Sequence, residues 1–256
     1  MKTKLKLAAV IPARMGSSRF PGKPLAPMLG LPMIAHVYHR VALCEKLDAV
    51  YVATCDDEII DAVTAFGGKA IMTSPEHERA SDRVAEAAQN IDADVIVMVQ
   101  GDEPMLVPEM IEQSVAPFLN DPTVQCVNLA KRILNEDEYA SPNTIKVVVA
   151  ANGDALYFSR EPIPTAQIMD FEKLSVYKQV CIIPFTRELL LTYAALEPTP
   201  LEKSESIDML RFLEHGYKVR MVETEFETYA VDTQEDLLRV ENILKNDPFV
   251  KQYRKP

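Results

Sequence analysis

Several large classes of protein are excluded by what this sequence lacks. Its four cysteines, Cys44, Cys55, Cys126 and Cys181, are far apart and form no Cys-x-x-Cys pair. That argues against a zinc ribbon or a disulfide framework and for reduced thiols in a cytoplasmic protein. No apolar stretch approaches the ~20 residues a membrane span needs, so no membrane insertion is expected. Lys2 to Lys6 ahead of Leu7 to Val10 has the outline of a signal peptide, but the apolar run is too short and ends at Pro12 and Arg14. There is no internal repeat, no low-complexity tract and no linker rich enough to separate two independent domains. A chain of 256 residues with this pattern is expected to form one large domain. His77 and His215 have no acidic or cysteine partners at metal-ligand spacing, and His36 and His39 read as packing or surface residues of a helix.

Acidic residues are also missing from one particular place. The chain as a whole is acidic, with 27 Lys and Arg against 38 Asp and Glu and a net charge of −11. Such a balance argues against nucleic acid and anionic membrane as partners. Yet the first acidic residue is Glu45, and seven basic residues precede it. Three of these, Arg14, Arg19 and Lys23, fall in the loop Pro12-Ala13-Arg14-Met15-Gly16-Ser17-Ser18-Arg19-Phe20-Pro21-Gly22-Lys23-Pro24. Glycine backbone, hydroxyls and fixed positive charge in one short loop suit a polyphosphate.

The surrounding pattern places that loop. Leu7 to Ile11 reads as a strand and Met33 to Leu43 as a helix. Strands are then expected at Ala49 to Thr54, Lys69 to Met72 and Asp94 to Val99. Helices are expected at Glu58 to Phe66, Asp82 to Asn90 (capped by Ser81) and Pro108 to Phe118. This alternation predicts right-handed βαβ units and a parallel sheet. Further on, Asn152-Gly153 between two apolar runs predicts a β-hairpin. Val176 to Phe185 reads as one strand, Arg187 to Leu196 and Ser204 to His215 as helices, Lys218 to Glu223 as a strand and Thr233 to Leu244 as a final helix. The β-rich stretch, approximately 130–200, reads as an insertion on one α/β sheet.

Gln100-Gly101-Asp102-Glu103-Pro104 follows the strand ending at Val99. In open α/β sheets ligands sit beyond the carboxyl ends of the strands, so Asp102 is expected on the same edge as Arg14 and Lys23. A carboxylate beside a triphosphate calls for a cation between them, and Mg²⁺ favours one or two carboxylates with phosphate oxygens and water. Asp232 is the candidate second carboxylate; a helix N-cap is an equal alternative.

The segments PARMGSSRFPGKPL, VQGDEPM, ALYFSR (Ala155 to Arg160), PLEKSESIDMLRFLEHG (Pro200 to Gly216) and VDTQEDLLRV (Val231 to Val240) together resemble the CMP-Kdo synthetase family, the 3-deoxy-manno-octulosonate (Kdo) cytidylyltransferases. The resemblance implies a Rossmann-like, mostly parallel α/β sheet of the nucleotide-diphospho-sugar transferase type. It also implies one nucleotidyltransferase domain over 1–256, with a hairpin-bearing dimerisation part, and a homodimer. Its members transfer CMP from CTP to the anomeric hydroxyl of an acidic keto-sugar, release pyrophosphate and use Mg²⁺. By the motifs, Arg14, Ser17, Arg19 and Lys23 would hold the triphosphate, and Ser81 and Arg83 match a nucleotide-contacting segment. Asp102 and Asp232 would hold metal, with Lys23, Arg14 and Asp102 the catalytic charges. Gln100 and Arg160 would face the sugar acid, and Gln179 and Asp208 stand at sugar-pocket positions.

The sequence departs from the family at Ala80, Gln179, Ile183 and Asp208-Met209. The acceptor is therefore open between Kdo and another keto-acid sugar. A catalytically weak, nucleotide-binding regulatory homologue is the alternative from a different class.

Overall fold

The computed structural model describes residues 4–17 and 19–254; Lys2 of the basic N-terminus and Ser18 of the basic loop lie outside them. In chain order the first half contains β1 (Leu7–Pro12), the short pair β2 (Pro27–Met28) and β3 (Leu31–Pro32), α1 (Met33–Ala42), β4 (Ala49–Thr54), α2 (Asp57–Ala65), β5 (Ala70–Met72), α3 (Ala80–Ala88), β6 (Val95–Val99) and α4 (Pro108–Asn120). The second half contains β7 (Val127–Arg132), α5 (Glu136–Ala140), β8 (Lys146–Val149), β9 (Ala155–Ser159), β10 (Tyr177–Val180), β11 (Ile182–Thr186), α6 (Arg187–Ala195), α7 (Pro200–Glu205), α8 (Met209–Glu214), β12 (Arg220–Glu223), α9 (Gln234–Leu244) and α10 (Val250–Tyr253).

A first sheet has the order β11-β6-β1-β4-β5. Strands β6, β1, β4 and β5 run parallel, and β11 closes the edge antiparallel to β6. Every residue of β1 is buried. The reason is visible in its alternation: Leu7, Ala9 and Ile11 pack against Ile34 and Val37 of α1 and Met110 of α4, whereas Ala8 and Val10 pack with Val84 of α3 and Leu190 of α6. Both faces are covered by helices, so a central strand must be apolar throughout. A parallel register also brings the carboxyl ends of β1, β4 and β6 to one edge, where the loops after Pro12, Thr54 and Val99 meet.

The second sheet, β12-β7-β10-β8-β9, is mixed. Only β12 and β7 pair in parallel; β7–β10, β10–β8 and β8–β9 are antiparallel. The hairpin predicted around Asn152-Gly153 joins β8 and β9. This sheet begins at Val127 and takes its last strand from residues beyond 200.

Three local expectations are corrected. The stretch Val176 to Phe185 is not one strand: β10 belongs to the second sheet and β11 to the first, with Cys181 between them. Pro184 lies in β11, an edge strand, where a missing N–H is tolerated. The helix expected over Ser204 to His215 is two short helices, because Ser206 adopts a left-handed conformation (φ 56°, ψ 49°). Ser81 is not a cap; α3 begins one residue before it and Arg79 holds the N-cap position.

Candidate active site

The basic loop is built from the end of β1. The Ala13 N–H donates to the Ala53 carbonyl (2.9 Å) and extends the parallel ladder by one step. The chain then leaves the sheet. The Met15 N–H donates to the Asp56 carboxylate (2.7 Å), and the Gly22 N–H donates back to the Met15 carbonyl (3.0 Å). Gly22 has φ 72°, a conformation that side chains other than glycine's resist, and it starts a single 3-10 turn over Lys23–Leu25. This closed loop sends the Lys23 side chain toward the end of β6.

There the chain reads Gln100-Gly101-Asp102. A Cβ on Gly101 would lie 2.8 Å from the Pro12 carbonyl oxygen, so glycine lets the ends of β1 and β6 close together. The Val231 N–H donates to the Asp102 carbonyl (2.9 Å), which pins the segment carrying Asp232 beside Asp102. Thr233 caps α9 through a reciprocal box with Asp236. The cap is therefore Thr233, and the Asp232 carboxylate is available to the loop opposite.

The charges converge closely. The Lys23 Nζ lies 2.7 Å from Asp102 Oδ2 and 3.4 Å from Asp232 Oδ1. Arg19 Nη2 lies 3.0 Å from the same Asp232 oxygen. Around them opens a cleft of about 330 Å³ whose walls include Arg14, Ser17, Arg19, Lys23, Arg83, Gln100, Asp102 and Asp232. Arg83, 3 % exposed, donates from Nη1 to Thr73 Oγ1 (2.6 Å) and the Ser74 carbonyl (3.3 Å). Its buried Nη2 has no protein partner among the described residues. A guanidinium nitrogen left unpaired at a cleft wall is costly unless something else accepts from it.

The other four candidates do not line this cleft. Ser81 is buried in α3 and donates its hydroxyl to Asp208 Oδ2 (2.8 Å). Burial raises the Asp208 carboxyl above the ordinary aspartate range, although the Ser81 hydrogen bonds oppose the shift. Arg160 spends three of its five N–H donors on the carbonyls of Glu205 (2.7 Å), Pro142 (3.0 Å) and Ser206 (3.4 Å). Gln179 donates to the buried Asn128 side chain (2.6 Å). Ile183 is 2 % exposed and packs in the core with Met98 and Leu189; it is a packing residue.

The model of the cytidylyltransferase family matches residues 8–226. A 3-deoxy-manno-octulosonate cytidylyltransferase of Geobacter metallireducens is 45% identical over 245 residues, covering 92% of this chain and 96% of that protein. The chain belongs to the 3-deoxy-manno-octulosonate cytidylyltransferase family. A second member, from Pelobacter propionicus, is 46% identical over 244 residues, covering 92% of this chain and 96% of that one. A solved structure of CMP:2-keto-3-deoxy-manno-octonic acid synthetase complexed with CTP superposes with a TM-score of 0.88. It is 41% identical and covers 94% of this chain and 98% of its own.

This cytidylyltransferase cleft contains residues that sequence reasoning passed over. His77, Glu78 and Arg79 form part of its wall. Arg79 Nη1 donates to Ser206 Oγ (2.6 Å), while Arg160 Nη2 reaches the Ser206 carbonyl, so two guanidiniums hold one turn from different sides. Glu103 is the other omission. It is 8 % exposed and its Oε2 has no partner among the described residues. Burial, with the neighbouring Asp102 charge, pushes its carboxyl up to about 8. Its place directly after Asp102 was the one available signal.

Proposed function

We infer that this cytidylyltransferase uses CTP and transfers CMP to the anomeric hydroxyl of Kdo or a closely similar keto-acid sugar, releasing pyrophosphate. The observation that carries the reading is the cleft in which Arg14, Arg19 and Lys23 face Asp102 and Asp232 across the ends of β1 and β6. The solved relative complexed with CTP and the Kdo-specific names of the relatives supply the base and the acceptor. A regulatory, non-catalytic homologue would have no physical need for all of these charges together.

The donor set suits Mg²⁺. Asp102 and Asp232 offer hard carboxylate oxygens, their side chains are about one-third exposed, and they sit beside a loop built for phosphate. Among the described residues no cluster of three or more His, Cys, Asp or Glu gathers as a metal cage. Two carboxylates with phosphate oxygens and water is the set that Mg²⁺ prefers. When bound there, Mg²⁺ neutralises charge on the phosphate oxygens.

The chain's own residues do the remaining work. Arg14, Arg19, Lys23 and the Ser17 hydroxyl bind the triphosphate and hold its α-phosphorus at the mouth of the acceptor side. The Arg83 Nη2 donates to a nucleotide oxygen, its missing partner. The acceptor hydroxyl attacks the α-phosphorus in line with the departing pyrophosphate, and Lys23 and Arg14 stabilise the charge that develops on the leaving group. Gln100 hydrogen-bonds the sugar acid. The two N–H groups that Arg160 retains point to a narrower carboxylate contact than a free guanidinium would make. Asp208 and Gln179, tied to Ser81 and Asn128, shape the acceptor side from behind.

The test is pyrophosphate release with each of the four nucleoside triphosphates against Kdo and a panel of keto-acid sugars, with the product identified by mass spectrometry. CTP with Kdo is expected to give the highest kcat/KM. Faster turnover of another nucleotide, or release that does not depend on the acceptor, would overturn the reading. The same protein is expected to be a cytoplasmic homodimer, associating through the second sheet, whose edge strand β9 exposes Leu156 (62 %). A monomeric mass by light scattering would remove the dimer.

A further inference from the structure

We propose that Lys23 is a built-in counter-ion for the metal-binding carboxylates, so that a divalent cation enters only together with the triphosphate that draws the lysine away. The inference rests on the reading of Asp102 and Asp232 as metal ligands.

Three observations carry it. First, the Lys23 ammonium lies between the two carboxylates, at 2.7 Å from one and 3.4 Å from the other, and its side chain is only 12 % exposed. It pairs with both carboxylates at once. Second, the carboxylates do not depend on a metal for their approach. The Val231 N–H to Asp102 carbonyl bond (2.9 Å) ties their two segments together, and the Thr233–Asp236 box fixes the start of α9 just beyond Asp232. Third, each carboxylate already has a cationic partner. Lys23 pairs with both, and Arg19 holds the Asp232 oxygen at 3.0 Å.

A lone dication approaching this pair must break short ion pairs and leave the largely buried Lys23 ammonium without a partner. A metal–triphosphate imposes no such loss. Its phosphate oxygens accept Lys23 and Arg19 while Asp102 and Asp232 turn to the metal, so one complete set of charge pairs is exchanged for another. Lys23 thus has two partners in sequence. The aspartates hold it in place before substrate arrives, and the phosphates receive it afterwards. The site then responds to the nucleotide-bound cation and not to the free ion.

The experiment measures Mn²⁺ binding to the full chain without nucleotide, by loss of the free-ion electron paramagnetic resonance signal and by the thermal shift on adding Mn²⁺. Wild type should bind Mn²⁺ weakly. Lys23→Met, which keeps the stem and removes the charge, should bind it about ten-fold or more tightly, the equivalent of one charge-assisted hydrogen bond. Adding Asp102→Asn to that variant should abolish the gain. Arg19→Ala, which removes one of the two cations on Asp232 and leaves Lys23 in place, should give a smaller increase. Where Lys23→Met fails to fold, Lys23→Gln takes its place with the same expectation.

Mn²⁺ binding to the lysine variant no tighter than to wild type would overturn the proposal, as would saturable wild-type binding as tight without CTP as with it. CTP-dependent pyrophosphate release is scored separately. Turnover without the Mn²⁺ gain removes only this inference; the Mn²⁺ gain without turnover removes only the functional reading.

Discussion

Gly101→Ala is the substitution whose effect follows most directly from the geometry. The added methyl would sit 2.8 Å from the Pro12 carbonyl oxygen and 3.5 Å from both Ile11 Cγ2 and Ile34 Cδ1. The first of these is backbone, and it cannot rotate aside because Ala13, the next residue, is bonded to Ala53. Relief requires the ends of β1 and β6 to separate by roughly half an ångström, and overpacking of this kind costs about 1–3 kcal/mol. The displaced ends carry Arg14 on one side and Gln100 and Asp102 on the other. Since a misplacement of about 1 Å can cost ~100-fold in rate, roughly ten-fold is expected here. Urea unfolding should show a lower midpoint with an unchanged slope, and pyrophosphate release should show the fall in kcat/KM. Gly16→Ala is the control, because its Cβ meets nothing within 4 Å; its stability should stay within about 0.5 kcal/mol of the parent. A Gly101→Ala protein as stable and as active as the parent would refute the claim that close approach of these strand ends sets the site.

Two further outcomes are expected elsewhere. Arg211 donates Nε and Nη2 to the Glu202 carboxylate (2.7 and 2.6 Å), donates Nη1 to Asp82 (3.1 Å) and stacks over Tyr193 at 4.1 Å. Arg211→Met leaves Glu202 charged and buried, a loss of about 3–5 kcal/mol that Glu202→Gln in the same chain should partly restore; a loss under ~1 kcal/mol in denaturant titration would contradict it. His36 is fully buried, with Nε2–H donating to the Met28 carbonyl (2.7 Å) and Nδ1 accepting from the Tyr253 hydroxyl (2.9 Å). Burial lowers its pKa below 6.5, so the unfolded chain takes up that proton first and stability falls as pH drops through 6.5. His36→Gln should give a flatter stability profile between about pH 7 and 5 than the parent, and parallel profiles would show that His36 does not carry this dependence.

The parts of the molecule legible in the sequence share one physical cause. β1 and β6 are buried on both faces and β4 nearly so, and their apolar runs announce strands. Parallel pairing then forces their carboxyl ends to one edge, and the meeting of Lys23 with Asp102 follows. Other parts are set by tertiary contacts that leave no local pattern. β7 hides because Asn128 and Lys131 interrupt its apolar run, and both are buried by hydrogen bonds to distant carbonyls. The break between α7 and α8 falls at Ser206, a residue that carries no glycine or proline signal. The Gln179 side chain, expected at the sugar, is claimed by Asn128 from a neighbouring strand. Arg79 stands beside Ser81 and Arg83 in sequence, yet its value lies in the turn it holds across the cleft.

The passage of the chain through Cys181 has a consequence for how this protein could change over evolutionary time. The path builds four strands of the first sheet, then most of the second, returns to the first for β11, and goes back to the second for β12 before delivering Asp232 to the cleft. No single cut separates a donor half from an acceptor half. Recombination between relatives would transplant a strand edge with every acceptor residue it moved. New acceptor preferences must therefore arise by substitution within an intact frame, under the stability limits of the sheet that holds the basic loop.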